Sequence, residues 1–246
     1  MADFQPSVAR GGVRAEIDAG LRAHLSKVYG LMATAMVVTF AIAFFVGTNA
    51  QLLATFFTGP IRWVVMFAPL IAVMGLSFGI QRLSAGAATA VFYGFSALMG
   101  LSIAWIFAVF TGGDIAKAFL STAIAFMALS LYGYTTQKDL SGLGRFAIMG
   151  LIGVIVLFLI NLFFPFGSAF MFALNVAVLL IFAALTAYDT QRLKSEYVAY
   201  AEAGAHGHPE GRAWLEKAAI MGATSLYLNF INMFMVILQF MGAGEE

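Results

Sequence analysis

Asp189 is the residue of this chain best placed to do chemistry. Between Arg145 and Asp189 lie 43 consecutive residues without Asp, Glu, Lys or Arg. At about 1.5 Å per residue, such a run crosses a ~30 Å hydrocarbon layer twice. The acid that ends it therefore lies at a membrane face or just inside it, where an ionisable group is costly and a functional role is the default hypothesis. The simpler alternative is a solvated residue in the loop after the helix.

A few other polar residues could act with this acid. Arg82, at the foot of the second predicted helix, has a similar depth, and the last predicted helix carries Tyr227, Asn229 and Asn232. The two asparagines are three residues apart and so share a helix face. Asn229 lies about 10 Å from the inner boundary, deeper than Asp189, so their contact requires tilt, a displaced helix start or intervening water. Alternatively, Arg82 anchors at the headgroups and the asparagines only bond neighbouring helices.

The chain lacks the residues for several kinds of chemistry. It contains no cysteine, which excludes disulfides, thiol nucleophiles and thiolate metal sites. His24, His206 and His208 fall outside the predicted helices, so no serine–histidine protease can form in the membrane, and the last helix has no lysine for a Schiff base. The histidines of the 205–210 loop could sense pH or bind a metal, but such a loop more often has no role. We expect a protein that is not an enzyme and has no tightly bound cofactor.

The composition is that of an all-α integral membrane protein. Hydrophobic residues make up 62% of its 246 residues and charged residues 10%, and a net charge of +1 gives no reason to expect a nucleic-acid partner. Long charge-free stretches, continuous rather than alternating, predict membrane helices and not barrel strands. Pro69, inside the second helix, predicts a kink. The predicted spans are 28–47, 62–81, 87–110, 116–135, 146–164, 168–188 and 218–241, within a membrane domain of residues 28–242.

The distribution of positive residues predicts the orientation. If segment 1–27 is cytosolic, eleven Lys and Arg residues fall on the cytosolic side, and only Arg62 and Lys117 fall outside. This bias places the N-terminus in the cytosol and the C-terminus outside. Asp189 then lies at the cytosolic end of the sixth helix.

Two helix ends have similar sequences. Residues 134–138 read YTTQK and residues 188–192 read YDTQR, each at a predicted cytosolic helix end. A duplicated hairpin would explain the similarity, since repeats are common in transporters. Two independent aromatic and cationic anchors at the interface would explain it equally well.

Three ordered motifs carry a family resemblance. Residues 132–142 read YGYTTQKDLSG, residues 186–191 read TAYDTQ, and residues 225–234 read SLYLNFINMF. From about Leu25 onward, the chain resembles the bacterial members of the transmembrane Bax inhibitor motif-containing family, the Bax inhibitor-1-like proteins. The resemblance implies a seven-helix bundle with a central C-terminal helix, located in the bacterial inner membrane.

The resemblance also implies a function, a pH-sensitive calcium leak. In this family two acids on the last two helices share a proton, and an arginine at the foot of the second helix latches onto the first acid. By motif, the first acid is Asp189 and the arginine is Arg82. The second acid's position holds Asn229, where the family usually reads LYLDFIN. Without a second carboxylate, we expect a weaker calcium site at Asp189 and Asn229 and a displaced pH response.

Two further functions remain open. Some bacterial relatives are linked to a membrane-anchored quality-control protease, which implies a non-conducting regulator as the alternative to a leak. A proton-coupled transporter would need only the one acid, Asp189. The expected partners are the lipid bilayer, calcium ions and, for the alternative, that protease.

Overall fold

The computed structural model describes the backbone of residues 6–203 and 209–242 and the side chains of residues 16–203 and 211–242. His206 and His208 therefore lie outside the described residues. Within these ranges the chain forms nine α-helices and no strand. The helices are α1 Pro6–Gly47, α2 Ala50–Phe57, α3 Ile61–Gly79, α4 Ala85–Ile103, α5 Ile106–Val109, α6 Gly112–Thr135, α7 Ser141–Phe163, α8 Ser168–Glu202 and α9 Pro209–Gly242.

Seven of these segments are long and apolar enough to cross a membrane, which confirms the predicted all-α, seven-helix bundle. The third crossing combines α4 and α5, and Pro69 lies inside the continuous helix α3. The short helix α2 is capped by Asn49, whose side chain accepts the N–H groups of Gln51 and Leu52. The turn from α2 into α3 passes through Gly59, whose φ of 64° lies in the left-handed region that favours glycine.

The last helix is the centre of the bundle, as the family resemblance implied. In its most apolar window, 67% of the α9 residues are buried, against 11–33% for the other six crossings. Helices α1, α4, α6 and α8 pack around it. Helix α7 packs against α8 and leaves most of its surface exposed, as expected of an apolar helix at the edge of a membrane bundle.

Helices α8 and α9 extend beyond the predicted spans at one end of the bundle. Helix α8 continues past residue 188 because Leu193, Tyr197 and Ala201, four residues apart, form a buried stripe. Helix α9 begins at Pro209 rather than near residue 218. We call this end, which carries the α3–α4 turn, the α6–α7 loop, the end of α8 and the start of α9, the basic end.

Helices α6 and α8 approach closely at Gly133. A Cβ on this residue would clash with the carbonyl oxygen of Ala187 and lie 2.9 Å from its carbonyl carbon. Because both atoms belong to backbone, the helices would have to move apart to make room. We expect Gly133→Ala to destabilise the protein by about 1–3 kcal/mol or more, seen as a lower melting temperature in detergent.

Gly153 on α7 supplies the matched control, since nothing lies within 4 Å of the position that a methyl group on this residue would take. Alanine there should leave the melting temperature unchanged or slightly raised, because alanine is the better helix former. Equal melting temperatures for both variants would contradict the close helix contact.

Candidate functional site

Asp189 is buried between α8 and α9, with only 6% of its surface exposed. It is not a loop residue, because α8 continues to Glu202. Asn229 of α9, also buried, donates its Nδ2–H to Asp189 Oδ2 at 2.8 Å. The structure therefore contains the Asp189–Asn229 contact that the sequence left open.

Arg192 compensates the charge of this acid. It lies one helical turn further along α8, and its Nη2 is 3.2 Å from Asp189 Oδ1. Its Nε lies 3.6 Å from Glu196 Oε1, and its guanidinium lies over the ring of Tyr188 at 5.8 Å. A buried carboxylate needs such a cation and hydrogen-bond donors to remain ionised.

Arg82 is not the partner of Asp189 in this structure, in contrast to the motif-based prediction. It is exposed in the turn between α3 and α4 and makes no ion pair with the described residues. Lys217 of α9 holds this turn by donating to the carbonyl oxygen of Gln81 at 3.0 Å. The spacing of Asp189 and Arg192 could have indicated their pairing, had the sequence shown that the helix continues.

Tyr227 and Asn232 lie apart from the buried acid. The Tyr227 hydroxyl donates to Thr39 Oγ1 at 2.6 Å, because the Thr39 hydroxyl is itself donated to the carbonyl of Ser96 at 2.9 Å. These bonds fasten α9 to α1 and α4. Asn232 donates to the carbonyl of Leu228 in its own helix at 2.8 Å. The predicted polar seam is thus divided, and only Asp189 and Asn229 meet.

A chain of hydroxyl groups next to the acid was not predicted. Thr190 donates to the carbonyl of Thr186 at 2.9 Å and accepts from Ser130 of α6 at 3.0 Å. Ser130 in turn accepts from Tyr29 of α1. This chain ties three helices together one residue after Asp189, and so fixes the depth of the acid in the bundle.

The rest of the α8–α9 interface is closed by apolar side chains. Phe182, Leu185, Met233 and Val236 form a buried cluster beyond the acid, towards the end opposite the basic end. The one hydroxyl among them, Thr186, donates to the carbonyl of Phe182 in its own helix and contacts Met233 Sδ at 3.7 Å. Further on, Asn175 Nδ2 donates to Gln239 Oε1 at 3.1 Å. A polar group thus lies on each side of an apolar seal.

Two cavities at the basic end flank Arg192. The first, of about 170 Å³, lies between the α3–α4 turn, α8 and α9. The second, of about 570 Å³, lies between the α6–α7 loop and α8, and we call it the loop cavity. Arg192 lines both. It therefore stands between the buried acid and the space at this end of the molecule.

The described residues offer a weak site for a metal ion. They contain no group of three or more His, Cys, Asp or Glu residues that could hold one. Asn229 turns its N–H towards Asp189, so its oxygen could join the carboxylate on a calcium ion only after the amide rotates. Calcium prefers six to eight oxygen ligands, so this pair would hold it only loosely.

Comparison with known proteins decides the family. A model of the family described as "Inhibitor of apoptosis-promoting Bax1" matches residues 21–246, which include six crossings in full and most of the first, Glu16–Gly47. The chain belongs to the Bax inhibitor-1-like family. Inner membrane protein YbhL of Escherichia coli K12 is 39% identical over 225 residues, which cover 91% of this chain and 93% of YbhL. An uncharacterised protein of Caulobacter vibrioides is 38% identical over 259 aligned residues, and one of Rickettsia prowazekii is 33% identical over 246, each covering both chains fully.

The membership confirms the resemblance and supports a location. YbhL is named as an inner membrane protein, and this Bax inhibitor-1-like chain has seven helices able to cross a membrane. Both observations support a place in the inner membrane as a multi-pass protein.

Proposed function

We propose that this Bax inhibitor-1-like protein is a calcium leak pathway, closed at its basic end by Asp189. The observation that carries the proposal is a buried carboxylate at the α8–α9 interface, held by Arg192 and Asn229 beside two cavities. An ionisable group in a membrane bundle marks an ion pathway by default. We infer no enzymatic activity, because the chain has no thiol and, among the described residues, no buried hydroxyl group hydrogen-bonds to a histidine or carboxylate that could act as its base.

The pairing of Asp189 with Arg192 suggests how the pathway opens. The ionised acid attracts the guanidinium and accepts the amide of Asn229, which binds α8 to α9. Protonation on acidification removes that attraction, and Arg192 can then turn towards the cavities it lines. The two helices are less tightly held, and the apolar seal around Met233 and Phe182 can part. The leak therefore increases as the pH falls.

The positive residues support an orientation. Among the described side chains the cations are concentrated at the basic end, and only Arg62 and Lys117 lie at the other end. By the positive-inside rule we place the basic end and the N-terminus in the cytosol and the C-terminus outside. The closing acid then lies at the cytosolic mouth.

Replacing Arg192 by glutamine tests its role. We expect Arg192→Gln to raise the calcium leak at neutral pH, because the acid loses its cation and the helices lose a link. A charged hydrogen-bonding partner is worth about 1.5–3 kcal/mol, so a ten-fold or larger increase is expected. Calcium influx into proteoliposomes, followed with a trapped fluorescent indicator, measures it.

Arg82→Gln is the matched control, since it removes one cation from the same end without touching Asp189. Its leak should equal that of the wild type. A raised leak in Arg82→Gln, together with a wild-type leak in Arg192→Gln, would show that Arg82 and not Arg192 holds Asp189.

A second candidate function is a non-conducting regulator of a membrane-anchored protease. The extension of α8 and α9 favours it, because it presents Trp214, 42% exposed and stacked on Tyr200 at 5.0 Å, beyond the span. The asparagine at position 229 also removes the acid pair of the family pattern. Liposomes that stay calcium-tight at every pH, with a protease that copurifies, would favour this candidate.

A further inference from the structure

The loop cavity is lined by more positive than negative charge. Lys138, Arg192 and Lys194 contribute cations, and Asp139 contributes the one carboxylate. The hydroxyl-bearing residues Thr136, Ser141 and Ser195 also line it. Cations and hydroxyl donors around a concave space are the groups that bind phosphate oxygens.

Part of this donor capacity is unused. Within the described residues the Lys138 ammonium has no hydrogen bond or ion pair. Arg192 has five N–H donors. Its buried Nε has no hydrogen-bond partner in that part of the chain and lies 3.6 Å from the nearest paired carboxylate oxygen, Glu196 Oε1. Lys194 is already engaged, donating to the carbonyl of Tyr134 at 2.8 Å. A phosphate would supply acceptors for the first two.

The α6–α7 loop is held in place for such a ligand. Gln191 Oε1 accepts the N–H of Leu140 at 2.8 Å, and Gln191 Nε2 donates to the carbonyl of Lys138 at 2.8 Å. Helix α7, of 23 residues, begins at this cavity with no acid in its first turn, so the positive end of its dipole favours an anion there. One of its N–H groups, that of Ser141, is already accepted by the Asp139 carboxylate at 2.9 Å. The site is preorganised by contacts within the chain.

The Asp139 carboxylate repels an anion in the loop cavity and so weakens the attraction of the cations for it. Hydrogen bonds from Ser141 are the largest cause that holds the pKa of this carboxyl below its usual value, so it stays ionised at neutral pH. The lining keeps a positive balance because Lys138 and Lys194 face this one acid, whereas the charge of Arg192 is already shared with Asp189 and Glu196.

The depth of the cavity indicates a lipid rather than a soluble ligand. A ~30 Å hydrocarbon layer takes about 20 residues of α8, from Ser168 to near Tyr188, and Arg192 and Lys194 follow about 6–9 Å further on. That is the level of the headgroups. The start of α7 beside the cavity exposes Leu143 and Phe146, along which acyl chains can lie.

We propose that the loop cavity binds the phosphate group of an anionic membrane lipid, which competes with Asp189 for Arg192. Basic pockets between membrane helices at the cytosolic side are suited to anionic headgroups. Because Arg192 lines the cavity and pairs with the buried acid, each anion weakens the hold of the other. Any effect of the lipid on calcium leak rests on the proposed function, whereas binding itself does not.

Lipid binding to the purified full-length protein in detergent, counted by native mass spectrometry, tests the site. Wild-type protein should retain one phosphatidylglycerol more tightly than phosphatidylcholine. Lys138→Glu should abolish that preference, since each cation near such a surface is worth about five-fold in affinity. Lys138→Arg should keep it, and so should the matched control Arg82→Glu, which makes the same charge reversal outside the cavity. Equal losses in Lys138→Glu and Arg82→Glu would overturn the site in favour of diffuse charge.

Two further measurements test whether the bound phosphate belongs to a lipid and whether Asp189 competes with it for Arg192. Glycerol 3-phosphate should not displace the lipid, and displacement by it would overturn the lipid assignment in favour of a soluble phosphate. Asp189→Asn should tighten phosphatidylglycerol binding because it frees Arg192, and an unchanged affinity would contradict the competition. Protein that binds the lipid but conducts no calcium would contradict the proposed function and would still support the lipid site.

Discussion

Asp189→Asn is expected to produce a calcium leak that no longer varies with pH. Asparagine has nearly the shape of a protonated aspartate and cannot carry the charge that attracts Arg192, which lies 3.2 Å from the acid. The variant should therefore leak at alkaline pH as fast as the wild type leaks at acidic pH. Because the attraction exists only while the acid is ionised, wild-type flux should fall as the pH rises. Flux into proteoliposomes across a series of pH values measures both curves.

Glu216→Gln is the control for this experiment. Glu216 is an exposed acid at the same end, and it forms an ion pair with Lys27 at 3.7 Å. Because both side chains are about half exposed, loss of this pair should change the stability of the protein little. The pH curve of this variant should match the wild type. A normal pH response in Asp189→Asn would show that another group senses the proton.

Asn229→Asp is expected to move the pH response of the leak towards neutral. The Asn229 nitrogen lies 2.8 Å from Asp189 Oδ2, so an aspartate there places two carboxylates within hydrogen-bonding distance. They cannot both ionise readily, and Arg192 can compensate only one, so the pair would share a proton and titrate as a unit. The variant should also bind calcium more tightly, because the second carboxylate adds charge and oxygen ligands. Flux against pH and calcium titration measure the two effects.

Asn232→Asp is the matched comparison, one helical turn further along α9. The Asn232 side chain bonds only to the carbonyl of Leu228 in its own helix, so an acid there has no Asp189 to pair with. The pH dependence of its calcium leak should equal that of the wild type in protein that is monodisperse in detergent. Superimposable curves for wild type and Asn229→Asp would count heavily against a switch built on this pair.

The fold could be predicted because each membrane helix corresponds to a long stretch of sequence with few or no charged residues. Those stretches place the seven crossings. The central last helix followed from the family resemblance, whose motifs at 186–191 and 225–234 also identify Asp189 and Asn229. What they could not show is where helices continue beyond the hydrocarbon. The stripe of Leu193, Tyr197 and Ala201 keeps α8 helical among charged residues.

The partner of the acid depended on that continuation. With α8 ending at residue 188, Arg192 is a loop cation, and the distant Arg82 at the same depth is the better candidate. With α8 intact, Arg192 lies one turn from Asp189 and forms the ion pair, while Arg82 remains exposed. The hydroxyl chain from Tyr29 through Ser130 to Thr190 was equally hidden, since it joins residues 60 and 101 positions apart.

Calcium flux through the wild-type protein alone tests the central claim most directly. Purified protein in liposomes with a trapped indicator should admit calcium faster than protein-free liposomes, and the rate should rise as the pH is lowered. Liposomes that remain calcium-tight at every pH would contradict a leak pathway closed by Asp189.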